Sequence, residues 1–248
     1  MTDQKNIWTT RATRVDLPTT LGTIPLVVAQ PATPRGTVLL VHGRNGAPEQ
    51  AQIAEIADAY LARGWRVVAP ELPHSAALPG SGPPDRVTFS GHTAAAAAVW
   101  EWVARVWAEG PRALAGHSLG GFAVAHLAAG TPDTHHVLAV SPVLSGPALI
   151  SAREAMGPAA IDEVRREAPA YFAEMQTADV GPALKRMTAP LAVVTGASDG
   201  LIPVKDARAY FAAARDGRFF AALPDEHHCP AGAACGRMLA AALSALGV

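Results

Sequence analysis

The sequence predicts a three-layer α/β domain, in which a mostly parallel sheet lies between two layers of helices. Three observations support this. Short apolar runs alternate with segments of helical periodicity, and the clearest run, TVLLV at 37–41, is apolar throughout, as in a strand buried on both faces. Half of the 248 residues are hydrophobic and 17% are charged, which is typical of a globular core. We therefore expect residues 1–248 to form one domain.

The first elements are an antiparallel pair followed by a buried strand and a helix. Residues 7–17 and 23–29 lie either side of a Leu-Gly turn, which favours antiparallel pairing. After the strand at 37–41, residues 49–63 place Ile53 and its apolar neighbours at helical spacing, and a glycine follows as a stop. This part of the chain predicts strand, strand, strand and helix.

The remainder of the chain repeats the alternation of strand and helix. A helix is predicted at 93–107 because Trp100, Val103 and Trp107 fall on one stripe. Short runs rich in β-branched or apolar residues predict strands at 65–69, 112–115, 137–140, 191–195 and 218–223. Helical segments are predicted at 122–129, 204–214 and 231–246. Such alternation indicates βαβ units.

One stretch interrupts this rhythm. Between Pro142 and Pro190 no strand is predicted, and at least two short helical patterns occur, around 150–156 and 160–175. An insertion at the carboxyl edge of such a sheet usually covers the ligand crevice. We predict that residues 144–187 form a small helical cap, and the alternative is a structural excursion with no role over the site.

The charge balance and the cysteine content limit which classes of partner and which cellular compartment we expect for this protein. The 20 Lys and Arg against 21 Asp and Glu give a net charge of -1, so nothing favours nucleic acid or an anionic membrane as partner. Residues 1–16 lack a secretory pattern, and the most apolar tract, 93–99, is too short for membrane insertion. Cys229 and Cys235 are too few for a disulfide framework, so we expect free thiols and a cytoplasmic protein.

The strongest motif is Gly-His-Ser-Leu-Gly at 116–120, placed between a predicted strand and a predicted helix. This is the G-x-S-x-G pattern of a serine on a strained strand-to-helix turn. The residues two before and two after the serine must be small for the chain to fold back. The turn then exposes the hydroxyl at the positive end of the helix. Ser118 is the predicted nucleophile.

A serine nucleophile needs a base, and the base needs a carboxylate that fixes its tautomer. Asp199 directly follows the strand at 191–195 in a glycine-rich loop, so it is the favoured acid. Three other aspartates fit less well: Asp179 lies in the predicted cap, whereas Asp206 and Asp216 bracket a helix.

The base must follow the acid in the chain order Ser, acid, His. Only His227 and His228 lie beyond Asp199, between the last strand and the last helix. The residues alone leave both histidines open. The histidine that is not the base is expected to line the active site.

Two backbone amides should form an oxyanion hole beside the nucleophile. Leu119, which follows the serine, supplies one amide, and the loop His-Gly-Arg-Asn-Gly at 42–46 should supply the other. The side chain of Arg44 in this loop has two interpretations: a surface salt bridge, which is favoured, or a grip on an acidic substrate.

Together the segments HGRNG, GHSLGG, GASDG and DEHHCP resemble the α/β-hydrolase superfamily in order and approximate spacing over nearly the whole chain. The resemblance implies a central eight-stranded sheet, acyl-enzyme chemistry and no cofactor. It also implies that the Arg44 amide is the second oxyanion donor, and it favours His228, four residues after Pro224, as the base. The sequence departs from relatives in the residue before the base, which is often Gly or Asp.

These features predict a serine hydrolase that cleaves a small or medium acyl ester through an acyl-enzyme intermediate. The expected partner is therefore a small-molecule ester. The sequence leaves open whether the chain forms a homodimer. The same residues would serve a thioesterase, a lactonase or a peptidase, and a ligand-sensing protein could retain them. No residues are spaced as metal ligands, and Glu71 and His74 do not form such a set.

Overall fold

The computed structural model describes residues 7–248, and its centre is an eight-stranded sheet. The strands are β1 (Thr13–Thr19), β2 (Gly22–Ala29), β3 (Thr37–Val41), β4 (Arg66–Pro70), β5 (Arg112–His117), β6 (Val137–Val140), β7 (Leu191–Gly196) and β8 (Gly217–Leu223). Their order across the sheet is β1-β2-β4-β3-β5-β6-β7-β8. Only the pairs β1–β2 and β2–β4 are antiparallel. The carboxyl ends of β3 to β8 therefore share one edge of the sheet.

Helices cover both faces of this sheet. They are α1 (Ile7–Arg11), α2 (Ala51–Leu61), α3 (Phe89–Val106), α4 (Leu119–Gly130), α5 (Gly146–Ala155), α6 (Pro158–Glu167), α7 (Pro169–Glu174), α8 (Gly181–Arg186), α9 (Val204–Ala213) and α10 (Ala233–Ala245). The buried side chains of α3, α4, α8 and α9 pack in one core, and those of α1, α2 and α10 pack in another on the opposite face. The predicted three-layer fold with a mostly parallel sheet is confirmed.

The predicted strands agree with the structure to within about two residues, except at the amino-terminal end. Residues 7–11, predicted as part of a β-run, form α1 instead. The cause is Trp8, which is completely buried and donates its indole N–H to the Pro48 carbonyl at 2.8 Å. Its backbone N–H also donates to the carboxylate of Asp58 on α2 at 2.7 Å. These tertiary contacts, which lie far apart in sequence, override the local strand pattern.

Helix α3 begins at Phe89, four residues before its predicted start at 93. Thr88 explains this, because its hydroxyl accepts a hydrogen bond from the Gly91 backbone N–H at 2.9 Å and caps the helix.

The segment between β6 and β7 contains four helices, α5 to α8, where the sequence indicated at least two helical patterns. The pattern predicted over 160–175 is divided between α6 and α7 at Ala168. The division follows from Pro169, which has no backbone N–H to continue the hydrogen bonds of α6. Between residues 7 and 248, no helix is long and apolar enough to cross a membrane.

Candidate active site

Ser118 occupies the turn between β5 and α4 with strained backbone angles, φ 56° and ψ −118°. The glycines on either side permit this turn. A Cβ on Gly116 would lie 2.4 Å from the Gly120 backbone, and a Cβ on Gly120 would lie 2.0 Å from the Val41 carbonyl oxygen. The motif is therefore required by backbone contacts between β5, α4 and the end of β3, and it fixes the serine at the carboxyl edge of the sheet.

Three side chains from separate parts of the chain form one hydrogen-bonded series at this edge. His228 lies 2.9 Å from the Ser118 hydroxyl through Nε2 and 2.9 Å from Asp199 Oδ2 through Nδ1. The carboxylate can only accept here, so Nδ1 carries the proton and Nε2 is free to accept from the serine. Both Ser118 and Asp199 are almost buried, at 8% and 5% exposure.

Asp199 is oriented by its own loop. Its Oδ1 atom accepts backbone N–H bonds from Leu201 at 2.9 Å and Ile202 at 2.8 Å, which leaves Oδ2 for His228. The loop follows β7 directly, as the sequence suggested. The other three aspartates considered from the sequence do not contact His228.

Of the two candidate histidines, only His228 meets the serine and the aspartate. His227 is exposed, and its Nδ1 donates to the Ser198 carbonyl at 2.9 Å. The expectation that His227 would help wall the site is wrong, because the neighbour that lines the cavity is Cys229.

His117 is a residue of this site that the sequence did not single out. It is buried directly before the serine, and its Nε2–H donates to the backbone carbonyl of His228 at 2.9 Å. Burial, with a smaller contribution from a positive charge on His228, lowers the pKa of His117 to about 3. His117 is therefore neutral and holds the chain of His228 in place. Its position inside the G-x-S-x-G motif was the only available signal.

The loop after β3 approaches the serine closely. A Cβ on Gly43 would lie 2.9 Å from the Ser118 Cβ atom, so only glycine fits. His42 fixes the loop because its Nε2 accepts the Leu72 backbone N–H at 3.0 Å. His92 supports it from α3 by donating to the His42 carbonyl at 2.9 Å. Burial lowers the pKa of His42 to about 4 and that of His92 to about 3, so both are neutral.

The predicted oxyanion donors flank the nucleophile in sequence and in space. Leu119 is the first residue of α4, so its backbone N–H has no partner within the helix. Arg44 follows Gly43 in the loop that touches Ser118. Both N–H groups therefore belong to segments in contact with the serine.

A cavity of about 250 Å³ opens beside the serine. Its lining consists of Gly43, Arg44, Asn45, Gly46, Gln50, Gln52, His117, Ser118, Arg153, Leu201, His228 and Cys229. Arg44 makes no ion pair with any residue in the described part of the chain, so the surface salt bridge favoured from the sequence is wrong. Its guanidinium carbon instead lies 5.5 Å from the centre of the Tyr171 ring on α7.

Comparison with known proteins places the chain in a family. The family model described as serine aminopeptidase, S33, matches residues 32–177, which is more than half of the chain. The chain belongs to this family. The match to the S33 family includes Ser118, whereas Asp199 and His228 lie beyond its end. The resemblance to the α/β-hydrolase superfamily is thereby confirmed. A search of curated protein sequences gave no match.

Solved structures share the fold along almost the entire chain. Est1E from Butyrivibrio proteoclasticus is 16% identical, with a TM-score of 0.71, over 96% of this chain and 100% of that chain. A membrane phospholipase A, described as a bacterial virulence factor, is 15% identical, with a TM-score of 0.73, over 98% and 89%. An α/β serine hydrolase without lid from Xanthomonas campestris is 18% identical, with a TM-score of 0.63, over 96% and 92%. At these identities the similarity shows the fold alone.

Proposed function

We propose that this protein is a serine-dependent carboxylic ester hydrolase. The observation that carries the proposal is the hydrogen-bonded series from the Ser118 hydroxyl through His228 to Asp199, with 2.9 Å at each step. Acyl transfer to serine requires a buried carboxylate, an imidazole that carries its proton on Nδ1, and a serine on a strained turn.

The reaction proceeds through an acyl-enzyme. Ser118 Oγ attacks the ester carbonyl while its proton passes to His228 Nε2, and Asp199 stabilises the resulting imidazolium. The Leu119 and Arg44 amides bind the oxyanion, each contributing roughly 3 kcal/mol to the lowered barrier. His228 then protonates the leaving alcohol. Water attacks the acyl-enzyme by the same proton transfers and releases the acid.

The cavity favours a small or medium acyl group. Its volume of about 250 Å³ lies just below the range of roughly 300–1,000 Å³ common for ligand pockets. The polar residues among its lining include two arginines, two glutamines and an asparagine. A cavity of this volume accommodates a short acyl chain more readily than a long one.

The helices between β6 and β7 act as a cap in this proposal. The support comes from Arg153 on α5, which lines the cavity that contains Ser118. The segment thus contributes to the substrate side of the site.

Cleavage of an amino-terminal residue from a peptide is a second candidate, favoured by the description of the matching family model. An aminopeptidase must bind a cationic α-amino group. The cavity, however, is lined by two arginines, and Asp199 behind it is occupied by His228 and two backbone amides. The charge of the lining therefore favours an ester over a peptide amine.

The test is hydrolysis of 4-nitrophenyl esters from acetyl to palmitoyl, together with alanine 4-nitroanilide. Wild type, Ser118→Ala and a control, Ser151→Ala on the exposed face of α5, are compared. We expect turnover of short esters that falls at least 10⁴-fold in Ser118→Ala and is retained in the control.

Three other outcomes would contradict the proposal. Full activity in Ser118→Ala would remove the mechanism. Preference for the anilide would establish the second candidate. Tight ligand binding with turnover below about one per minute, against a typical 10 per second, would indicate a sensing protein.

A further inference from the structure

Two arginines from distant segments converge on the cavity of the nucleophile. Arg44 belongs to the loop after β3 and Arg153 to α5, and both line the cavity with Ser118 and His228. Within residues 7–248 neither guanidinium forms an ion pair with a carboxylate. The other arginines with described ion pairs lie outside this cavity. Two unpaired cations beside one nucleophile need a physical explanation.

Arg153 is half-buried on α5, and its polar atoms are only partly paired. One of its five N–H donors reaches the Ala160 carbonyl at 3.1 Å, and its Nε atom is buried with no hydrogen-bond partner. Burial, followed by repulsion from Arg44, lowers the pKa of Arg153. Glu163 and Glu167 oppose this from a distance without forming an ion pair. The side chain is thus partly removed from water without full compensation.

A structural role does not account for this arrangement. Fastening α5 to α6 needs only the single bond to Ala160, which any donor could make. A half-buried cation without a counterion has lost part of its hydration without compensation, and a second cation nearby adds repulsion. The carboxylate of this site, Asp199, already accepts bonds from His228 and two backbone amides. A bound anion would offset the unfavourable charge of both arginines.

We propose that the ester substrate carries an oxyanion group, such as a carboxylate, that Arg44 and Arg153 bind while Ser118 attacks the ester carbonyl. The guanidinium group is planar and presents paired N–H donors, a geometry matched to carboxylate and phosphate oxygens. This inference rests on the proposed ester hydrolase function and specifies its substrate class. The remaining polar groups of the cavity, such as Asn45 and Gln52, are left for the uncharged part of the substrate.

The first test compares esters of matched shape and different charge. 4-Acetoxybenzoate, neutral 4-acetoxybenzamide and 4-acetoxyphenyl phosphate place the charge on the leaving side, and each rate is divided by its uncatalysed rate. Monomethyl succinate and neutral methyl succinamate place the charge on the acyl side. We expect kcat/KM to favour at least one anionic ester over its neutral counterpart by roughly tenfold to a hundredfold. Comparison of 4-acetoxyphenyl phosphate with 4-acetoxybenzoate shows whether the site prefers a phosphate or a carboxylate.

Variants then assign the preference to the two side chains. Arg44→Gln and Arg153→Gln retain both backbone amides but remove the charge, and each should reduce the anionic-to-neutral ratio, mainly through KM. Arg165→Gln is the matched control, because Arg165 pairs with Asp162 at 2.9 Å on exposed α6 and should leave the ratio unchanged. Calorimetry with Ser118→Ala measures binding of 4-acetoxybenzoate and 4-acetoxybenzamide without turnover.

The outcomes separate this inference from the function on which it rests. Hydrolysis that depends on Ser118 but shows no anionic preference in any pair would overturn the inference and leave the ester hydrolase intact. No hydrolysis of any ester would remove the proposed function. In that case tighter binding of the benzoate than of the benzamide to Ser118→Ala, lost on Arg153→Gln, would still support the anion site, and equal binding would overturn it.

Discussion

The carboxyl edge of the sheet and the helical segment at 146–186 build the two sides of the cavity by different means. At the sheet edge, backbone contacts fix the reacting groups so closely that Gly116 and Gly120 have no space for a Cβ atom. The helical segment contributes one lining residue, Arg153, whose Nε atom has no partner. Backbone contacts of the protein thus fix the reacting atoms at the sheet edge. The helical segment instead presents the unpaired positive charge of Arg153 to the cavity. We expect changes at the edge to lower kcat and changes in the segment to raise KM.

The largest expected effect is that of Asp199→Asn at the sheet edge. The amide can donate to His228 Nδ1 and so stabilise the tautomer that cannot accept the serine proton, lowering kcat by about 10⁴. The measurement is kcat on 4-nitrophenyl acetate, with Asp206→Asn on α9 as a control that should retain activity. A loss of less than tenfold would show that Asp199 does not set the tautomer.

A smaller effect on kcat is expected when His117 loses its donor. In His117→Phe the ring volume remains but the His228 carbonyl has no partner, so kcat should fall roughly tenfold with little change in KM. His117→Gln, which retains an N–H donor, should restore part of the loss. Equal losses in both variants, accompanied by equal falls in melting temperature, would mean that His117 only fills space.

In the helical segment, Tyr171→Leu should act on KM instead. The ring stacks on Phe89 at 4.4 Å between centres and lies beneath the Arg44 guanidinium. Its loss should release Arg44 and raise KM a few-fold, corresponding to about 1 kcal/mol, with kcat little changed. Phe172→Leu on the same helix is the control, because Phe172 lies under Arg165, outside the cavity. A fall in kcat as large as the rise in KM would contradict the division between the two regions.

The smallest expected effect concerns pH and stability. Burial lowers the pKa of His92 to about 3, below the ordinary value of 6.5, so the unfolded chain binds a proton that the folded chain does not. Stability must therefore fall as the pH drops below 6.5. Between pH 7 and 5.5, His92→Gln should lose about 1 kcal/mol less unfolding free energy than wild type, as measured by urea denaturation. The helical segment contains no histidine, so the loss should arise in the sheet and its helices. Equal losses in both proteins would refute the assignment.

The sequence predicted the parts that depend on local pattern. TVLLV became β3 without change of bounds, and the serine turn appeared where G-x-S-x-G indicated. The choice between His227 and His228 could not be made from residue types, because it depends on the turn at Asp225, which has a φ of 60°. Arg153 was missed because its place at the cavity follows from the packing of α5, which local periodicity does not encode.

The separation of the reacting groups along the chain affects the protein during its synthesis. Ser118 and His228 are 110 residues apart, and His228 follows the last strand of the sheet, β8. At usual elongation rates the ribosome adds these residues over roughly 5 to 20 seconds. A nascent chain that has folded through α4 therefore displays the serine turn without its base. Under the proposed mechanism, hydrolysis requires that β7 and β8 have docked, so the appearance of activity would report that the sheet is complete.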